Sequence, residues 1–427
     1  MRSYKILPQV WLAMFTSRNF SKFVLAAATL IPFLLQSETL TIPRSIELAF
    51  DNSLSLKQAE AEVQMKLADC WQAGLWINPE LSIEFDNIGT SSSRPHGWDD
   101  HEATVALSQI FELGGKRTAR QNTAAAEACI AIWDREMLKQ ELKKNVTDAF
   151  IDVAALRDKI KVLEAARSNE EESLHCVTEK MNNGKASLIQ LKQSKISLST
   201  ASIAHRKAIV ELSNAERNLS SFLGTINVCV GEISFPIAET NAPNSICEYT
   251  NRLDNNPEVA KWRTAVSAAR ENYGLERANR IPDLEVTAGY CRDNHSRDSS
   301  LLLEMSIVLP IFDRNEANIC RSSWETWMAA YKQEEIEKKL LTSVANVHEQ
   351  LLNGYDIIGY LKSEAVPATQ EALKVYEEGY QQGKFECLDV LLAKSKQYEV
   401  QLQLIDALTE YHHLKTQMEI LSPTYGE

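Results

Sequence analysis

The chain has 427 residues, 44% of them hydrophobic and 24% charged, and a formal net charge of -13. The acidic balance argues against a nucleic-acid partner. Past residue 37 no run of 18 uninterrupted apolar residues occurs, which excludes a membrane-spanning helix and leaves strands as the only way into a bilayer. Eight cysteines without a C-x-x-C pair exclude the familiar zinc-ribbon and thioredoxin spacings, and only 15 Gly and 12 Pro punctuate the chain, so its helices must be long.

Residues 1–22 carry Arg2, Lys5, Arg18 and Lys22 and no acid, and Phe23 to Leu35 is an apolar run of signal-peptide length. Residues 1–37 therefore read as an export signal, with Met14 as an alternative start and Ser37 as the cleavage position. Its removal takes away four positive charges and moves the net charge from -13 to -17. No Cys follows the apolar run, so a lipid-anchored mature end is not expected.

Residues 38–224 form a first half. Ile46 to Trp76 reads as a helix, rich in Ala, Leu, Glu and Lys, that stops before Asn78-Pro79. The period then changes from helix to strand, with Leu81, Ile83 and Phe85 alternating against Ser82, Glu84 and Asp86. A loop from Gly89 to Asp100 leads to a second strand, about His101 to Glu112, and the two make a hairpin with one apolar face. In LSQIFELGGKR, Leu107 to Arg117, this strand passes into a helix, and Gly114 and Gly115 let the chain bend there. Lys116 to Met181 contains neither Pro nor Gly, enough for one helix of roughly 100 Å. Asn182-Asn183-Gly184 ends it, and a second helix runs from Ser187 to Leu223.

Residues 225–250 are a connector of Gly, Pro, Asn and short β-branched runs. It holds Cys229 and Cys247, which either bridge in an oxidising compartment or stay as buried thiols. Residues 251–422 repeat the order. A helix from Pro257 to Asn279 precedes Ile281-Pro282-Asp283-Leu284, which matches Asn78-Pro79-Glu80-Leu81. One strand carries Leu284, Val286, Ala288 and Tyr290, and the next Leu303, Met305, Ile307 and Leu309. In MSIVLPIFDRN, Met305 to Asn315, a strand again becomes a helix, with Ser306 falling on Ser108 and Pro310 and Asp313 marking the junction. Ile336, Leu340, Val344, Val347, Leu351, Tyr355 and Ile358 follow at coiled-coil spacing. Pro367 predicts a kink. The turn Gln382-Gly383-Lys384 then matches Asn183-Gly184-Lys185, and a final helix runs from about Glu386 to Ile420, with residues 423–427 as a tail.

Four strands in two hairpins cannot close a sheet by themselves, and lipid does not tolerate an open edge. Three copies would supply twelve strands and close a β-barrel, and would bring their helices into a tube. The expected architecture is mainly α with membrane β: long antiparallel helical hairpins forming an α-barrel, four strands per chain in a trimeric 12-stranded barrel, and an internal two-fold repeat.

SQIFELGGKR at Ser108 to Arg117, VLPIFDRN at Val308 to Asn315 and AVPATQEALKVYEEGYQQGKFECLDVL at Ala365 to Leu391 resemble the TolC-type outer-membrane efflux proteins. ELGGKR is most similar to the CzcC/CusC-like heavy-metal cation branch. The match runs from about Ile46 to Ser422. The resemblance implies a non-enzymatic exit duct that works as a homotrimer with a periplasmic adaptor and an inner-membrane pump. It implies that the hairpin tips, Asn183, Gly184, Lys185, Gln382, Gly383 and Lys384, meet the adaptor. It also implies an aperture lined by acids of the last hairpin, here Asp389 with Glu386 one turn earlier. Gln190 stands at the matching place of the first half, and the plain reading of Asp389 is an acid on a solvated helix end.

Other constellations are weaker. His96, His101 and His295 fall in the two hairpin loops beside Asp99, Asp100, Cys291 and Asp293, types that suit a divalent ion. Their spacing matches no defined site, and solvated loops are the plainer reading. His412 and His413 read as packed or exposed side chains of the last helix. No nucleophile-base pair or cofactor motif points to an enzyme. Two rivals stay open: a multidrug or type I secretion duct, and an exported coiled-coil scaffold that never inserts, which the two alternating hairpins disfavour.

Overall fold

The structure, a computed structural model, describes residues 40–86, 101–224, 233, 235–294 and 296–424. The export signal, His96, His295 and Cys229 lie outside the described residues. Two short helices open the described chain, α1 Ile42–Asn52 and α2 Leu54–Ala73, where the composition had suggested one helix from Ile46. Ser53 divides them in extended conformation and caps α2, its side chain accepting a hydrogen bond from the Leu56 amide at 3.2 Å. A distant contact holds the break: Asn52 Nδ2 donates to the carbonyl of Leu223 at 2.8 Å.

The strands are β1 Glu80–Asp86, β2 Glu102–Phe111, β3 Leu284–Asp293 and β4 Ser299–Ile307. They form one antiparallel sheet in the order β1-β2-β3-β4, so the two hairpins join edge to edge through β2 and β3. β4 ends at Ile307, two residues short of the Leu309 expected in it. The chain turns there, with the Ile311 amide donating to the Leu309 carbonyl at 2.9 Å, and Pro310 has no N–H to extend a ladder.

After β2 comes α3 Lys116–Asn182, 67 residues and about 100 Å long, then α4 Leu188–Phe222. The connector contributes the short α5 Ile246–Asn251, and α6 Pro257–Asn279 starts with Pro at its first position, where a missing N–H costs nothing. After β4 follow α7 Glu316–Tyr360, a π turn Leu361–Ala365, α8 Val366–Gln381 and α9 Cys387–Leu421. The expected kink is that π turn. Pro367 cannot donate to the carbonyl of Ser363, and the helix widens there without breaking.

α3 is the central strut, packing on α2, α4, α6 and α9. The expected seam of α7 is real. Ile336, Leu340, Val344, Val347, Leu351 and Ile358 are buried and Tyr355 packs beside them, against Met418, Leu408 and Tyr411 of α9. A second core joins Ala49 of α1, Phe150 and Val153 of α3 and Leu219 of α4. Phe235 of the connector is wedged between these layers, edge-on to Phe150 at 6.3 Å and to His412 at 5.0 Å.

Candidate functional site

Side chains alternate across a strand, so the register assigns every residue of the sheet to one of two faces. One face presents Leu81, Ile83 and Phe85, then Val105, Leu107 and Phe111, then Leu284, Val286, Ala288 and Tyr290, then Leu301, Leu303, Met305 and Ile307. Those on β1 and β4 are solvent-exposed, Leu303 to 71% and Met305 to 68%. The opposite face carries Glu80, Glu84, Asp86, Glu102, Glu285, Asp293 and Glu304, and no Lys or Arg. One wall suits hydrocarbon and the other suits water and cations.

At the first junction the chain turns on Gly114 and Gly115, and Gly115 starts α3 in left-handed conformation with φ 76°. Glu112, its side chain only 5% exposed, takes a two-pronged ion pair from Arg120 at 2.5 and 3.2 Å. Arg120 also donates to the carbonyl of Ala73 at 2.9 Å, tying the end of α2 to the bend. Lys116 pairs with Asp283 at 2.8 Å, and the Arg117 guanidinium lies 4.1 Å over the ring of Trp76. ELGGKR is thus a clamp whose charges join both halves of the chain. At the second junction Asn315 holds the left-handed position, φ 56°, and starts α7; its backbone N–H donates to Asp313 Oδ1 at 2.9 Å, and its side chain donates to Glu276. The helix starts therefore set Asn315 against Gly115, and the pairing sets Ile307 opposite Leu284 as Leu107 stands opposite Leu81. That register replaces the expected match of Ser306 to Ser108 by a shift of two residues.

At the far end the two helical hairpins turn alike. Gly184 (φ 70°) and Gly383 (φ 73°) each take the left-handed position after a helix. The amides of Lys185 and Lys384 close back on the carbonyls of Lys180 and Gly379 at 2.7 and 2.8 Å, the Schellman pattern. Asn183, Gly184, Lys185, Gln382, Gly383 and Lys384 are all exposed. The helices that leave both tips begin with a capping box, Ser187 with Gln190 and Glu386 with Asp389. Asp389 Oδ2 accepts from the Glu386 amide at 2.9 Å. Glu386 is also ion-paired with Lys180 of α3, and that hydrogen bond raises the lysine's pKa. A local role therefore accounts for an acid or amide six residues after each tip glycine, and the S-x-x-Q and E-x-x-D spacing was the signal for it.

A family model described as "Outer membrane efflux protein" matches residues 45–225 and 249–418. The chain belongs to the outer membrane efflux protein family. Among curated relatives it is 22% identical over 387 residues to the cobalt-zinc-cadmium resistance protein CzcC of Cupriavidus metallidurans, covering 89% of each chain. It is 26% identical over 312 residues to the nickel and cobalt resistance protein CnrC of the same organism, covering 70% of this chain and 71% of that one. The solved structure of CusC, described for conformational changes accompanying folding and transmembrane channel formation, superposes with a TM-score of 0.74 at 18% identity, over 89% of this chain and 91% of the other. The family is one of outer-membrane channels with a periplasmic helical tunnel, and the two walls of the sheet above the long hairpins are what such a channel requires.

The histidines fare differently. His101 faces Asn294 and lies 6.3 Å from the Phe85 ring, while Cys291 donates to Glu102 at 2.6 Å. Among the described residues no group of three or more His, Cys, Asp or Glu side chains is placed to hold a metal. Cys247 is exposed, and Cys229, with which it would bridge, lies outside the described residues.

Proposed function

We propose that this protein is the outer-membrane exit duct of a tripartite efflux system and that it exports heavy-metal cations. The observation that carries the reading is the four-stranded sheet, apolar on one face and acidic on the other, with the outer edges of β1 and β4 unpaired among the described residues. Each unpaired edge needs a partner before the sheet enters lipid, and three copies provide it, β1 of one meeting β4 of the next in a barrel of about twelve strands. The like order of elements in residues 38–224 and 251–422 supports an internal two-fold repeat. Exposed apolar side chains along α4 and α7, among them Ile196, Ile203, Trp324 and Met328, supply surface for neighbouring copies.

The exposed tips would dock a periplasmic adaptor, which links the duct to an inner-membrane pump. The chain makes and breaks no bond; it conducts. Acids along the inner wall favour cations. The relatives named for resistance to cobalt, zinc, cadmium and nickel support a metal cargo for this chain too. At the aperture three copies of Asp389 would face one another, where repulsion favours opening and a passing cation bridges them.

The test is cell-associated zinc, cobalt, cadmium and copper by mass spectrometry, in strains with and without the chain, beside accumulation of a drug-like dye. Loss of the chain should raise one or more metals severalfold and leave the dye unchanged. A rise in dye alone would move the cargo to the multidrug class, and no change in either would sink the efflux reading.

A further inference from the structure

Cys176 lies on α3 shortly before the first tip, and Cys387 is the first residue of α9 just after the second. The two thiols are within hydrogen-bonding reach of each other, and both are half-buried and free. Neighbouring contacts hold the same two helices in antiparallel register around them. On one side Asn169 Nδ2, buried, donates to the carbonyl of Leu391 at 3.0 Å. On the other, Lys180 pairs with Glu386. Residues 169, 176 and 180 fall on one face of α3 and meet 391, 387 and 386 in reverse order, so the packing of two rigid helices sets the thiols together. Neither cysteine belongs to the walls, the junction clamps or the tips.

We propose that Cys176 and Cys387 form a disulfide that staples the first helical hairpin to the last just inside the tips. The compartment suits it, because a periplasmic tunnel lies where disulfides form and persist. The oxidant is a disulfide of the thiol-oxidoreductase class. Burial and its hydrogen bond with Cys176 push the Cys387 thiol up to about 11, a poor first attacker, so the exchange begins at Cys176. Its sulfur, losing its proton to water, bonds to one sulfur of the oxidant, whose S–S bond breaks and releases one thiolate. Cys387, its proton also lost to water, then attacks the Cys176 sulfur of this mixed disulfide and expels the second thiolate. Two protein thiols lose two electrons and two protons, and the oxidant disulfide takes them up as two thiols. The staple leaves the tips one fewer way to part, so that, on the reading of the chain as a duct, the oxidised trimer holds a narrower aperture than the reduced one.

The experiment uses the full-length protein in its outer-membrane fraction, treated with oxidised glutathione or with dithiothreitol, alkylated under denaturing conditions and mapped by peptide mass spectrometry. A linked Cys176–Cys387 peptide is expected after oxidation, lost with dithiothreitol and absent from Cys176→Ser, in which Cys387 is alkylated. Alkylation of both thiols after oxidation, or their pairing with other cysteines, overturns the staple. In planar bilayers dithiothreitol should raise the conductance of the oxidised wild type severalfold and leave Cys176→Ser unmoved. A linked peptide without a conductance change overturns the control of the aperture. None of these outcomes depends on the cargo, so a failed metal-accumulation result leaves them readable.

Discussion

Two adjacent histidines of α9 sit in opposite surroundings. His412 is 8% exposed, donates to the carbonyl of Ile237 at 2.9 Å and rests against Phe235, and its burial holds its pKa below the ordinary histidine value. His413 points to α3, 3.0 Å from Asp152 and 3.6 Å from Asp148, which itself pairs with Lys144 at 2.7 Å. The Asp152 carboxylate raises the His413 pKa against the opposing effects of burial and of Lys144. A raised pKa means that the stability from His413 is complete below the unfolded value of about 6.5 and is lost as pH rises through the higher folded value. The temperature at which the solubilised assembly dissociates should therefore fall across that window, and His413→Gln should flatten the fall; an unchanged profile in the variant would remove His413 from the account. The sequence reading of both residues as packed or exposed was right for His412. It missed the pairing of His413, because Asp148 and Asp152 lie on another helix.

Among the elements, the sheet was the most legible. Alternation in Leu81 to Asp86 and in Leu284 to Tyr290 placed each strand and its apolar face, since a period of two is a local property. What alternation does not contain is the neighbour: β2 pairs with β3 across nearly the whole first half of the chain, with Ser108 and Thr287 hydroxyls bonded at 2.8 Å at the meeting line. The face assignment gives a sharp prediction. Leu303→Arg puts a charge on the apolar wall and should cost about 2–4 kcal/mol near the bilayer midplane, while Thr287→Arg, one strand away on the polar wall, should cost far less. Recovery of folded protein from the outer membrane checks it, and equal losses in the two variants would mean that the faces are assigned wrongly.

At the scale of the whole molecule, the proposed trimer would give Asp389 a second role through its copies. One protomer uses it as the third residue of α9, closing a capping box, and the proposed trimer would bring three of its charges together at the aperture. The two roles separate by substitution. Asp389→Asn keeps an acceptor for the Glu386 amide, as Gln190 does for Ser187, and removes the charge. Asp389→Ala removes both and should in addition weaken the start of α9 by about 1 kcal/mol. If the charge shapes the aperture, both variants should change cation conductance in bilayer recordings severalfold and alike. A change in the alanine variant alone would leave Asp389 as a helix cap.

By itself the sequence determined the features whose physics is local. These are the strands of period two, the α7 seam from Ile336 to Ile358, the tip glycines, the bend at Gly114-Gly115, and α6, whose bounds Pro257 and Asn279 match the expectation residue for residue. The tertiary structure decided what depends on residues far apart in the chain. Asn52 reaches Leu223 and breaks one expected helix into two, Asp283 joins Lys116 at the first junction, and Lys180 occupies Glu386. Cys176 meets Cys387 for the same reason: a helix of about 100 Å carries register faithfully from one end to the other, but which helix lies beside it is settled only when the cores around Phe150 and Leu351 close.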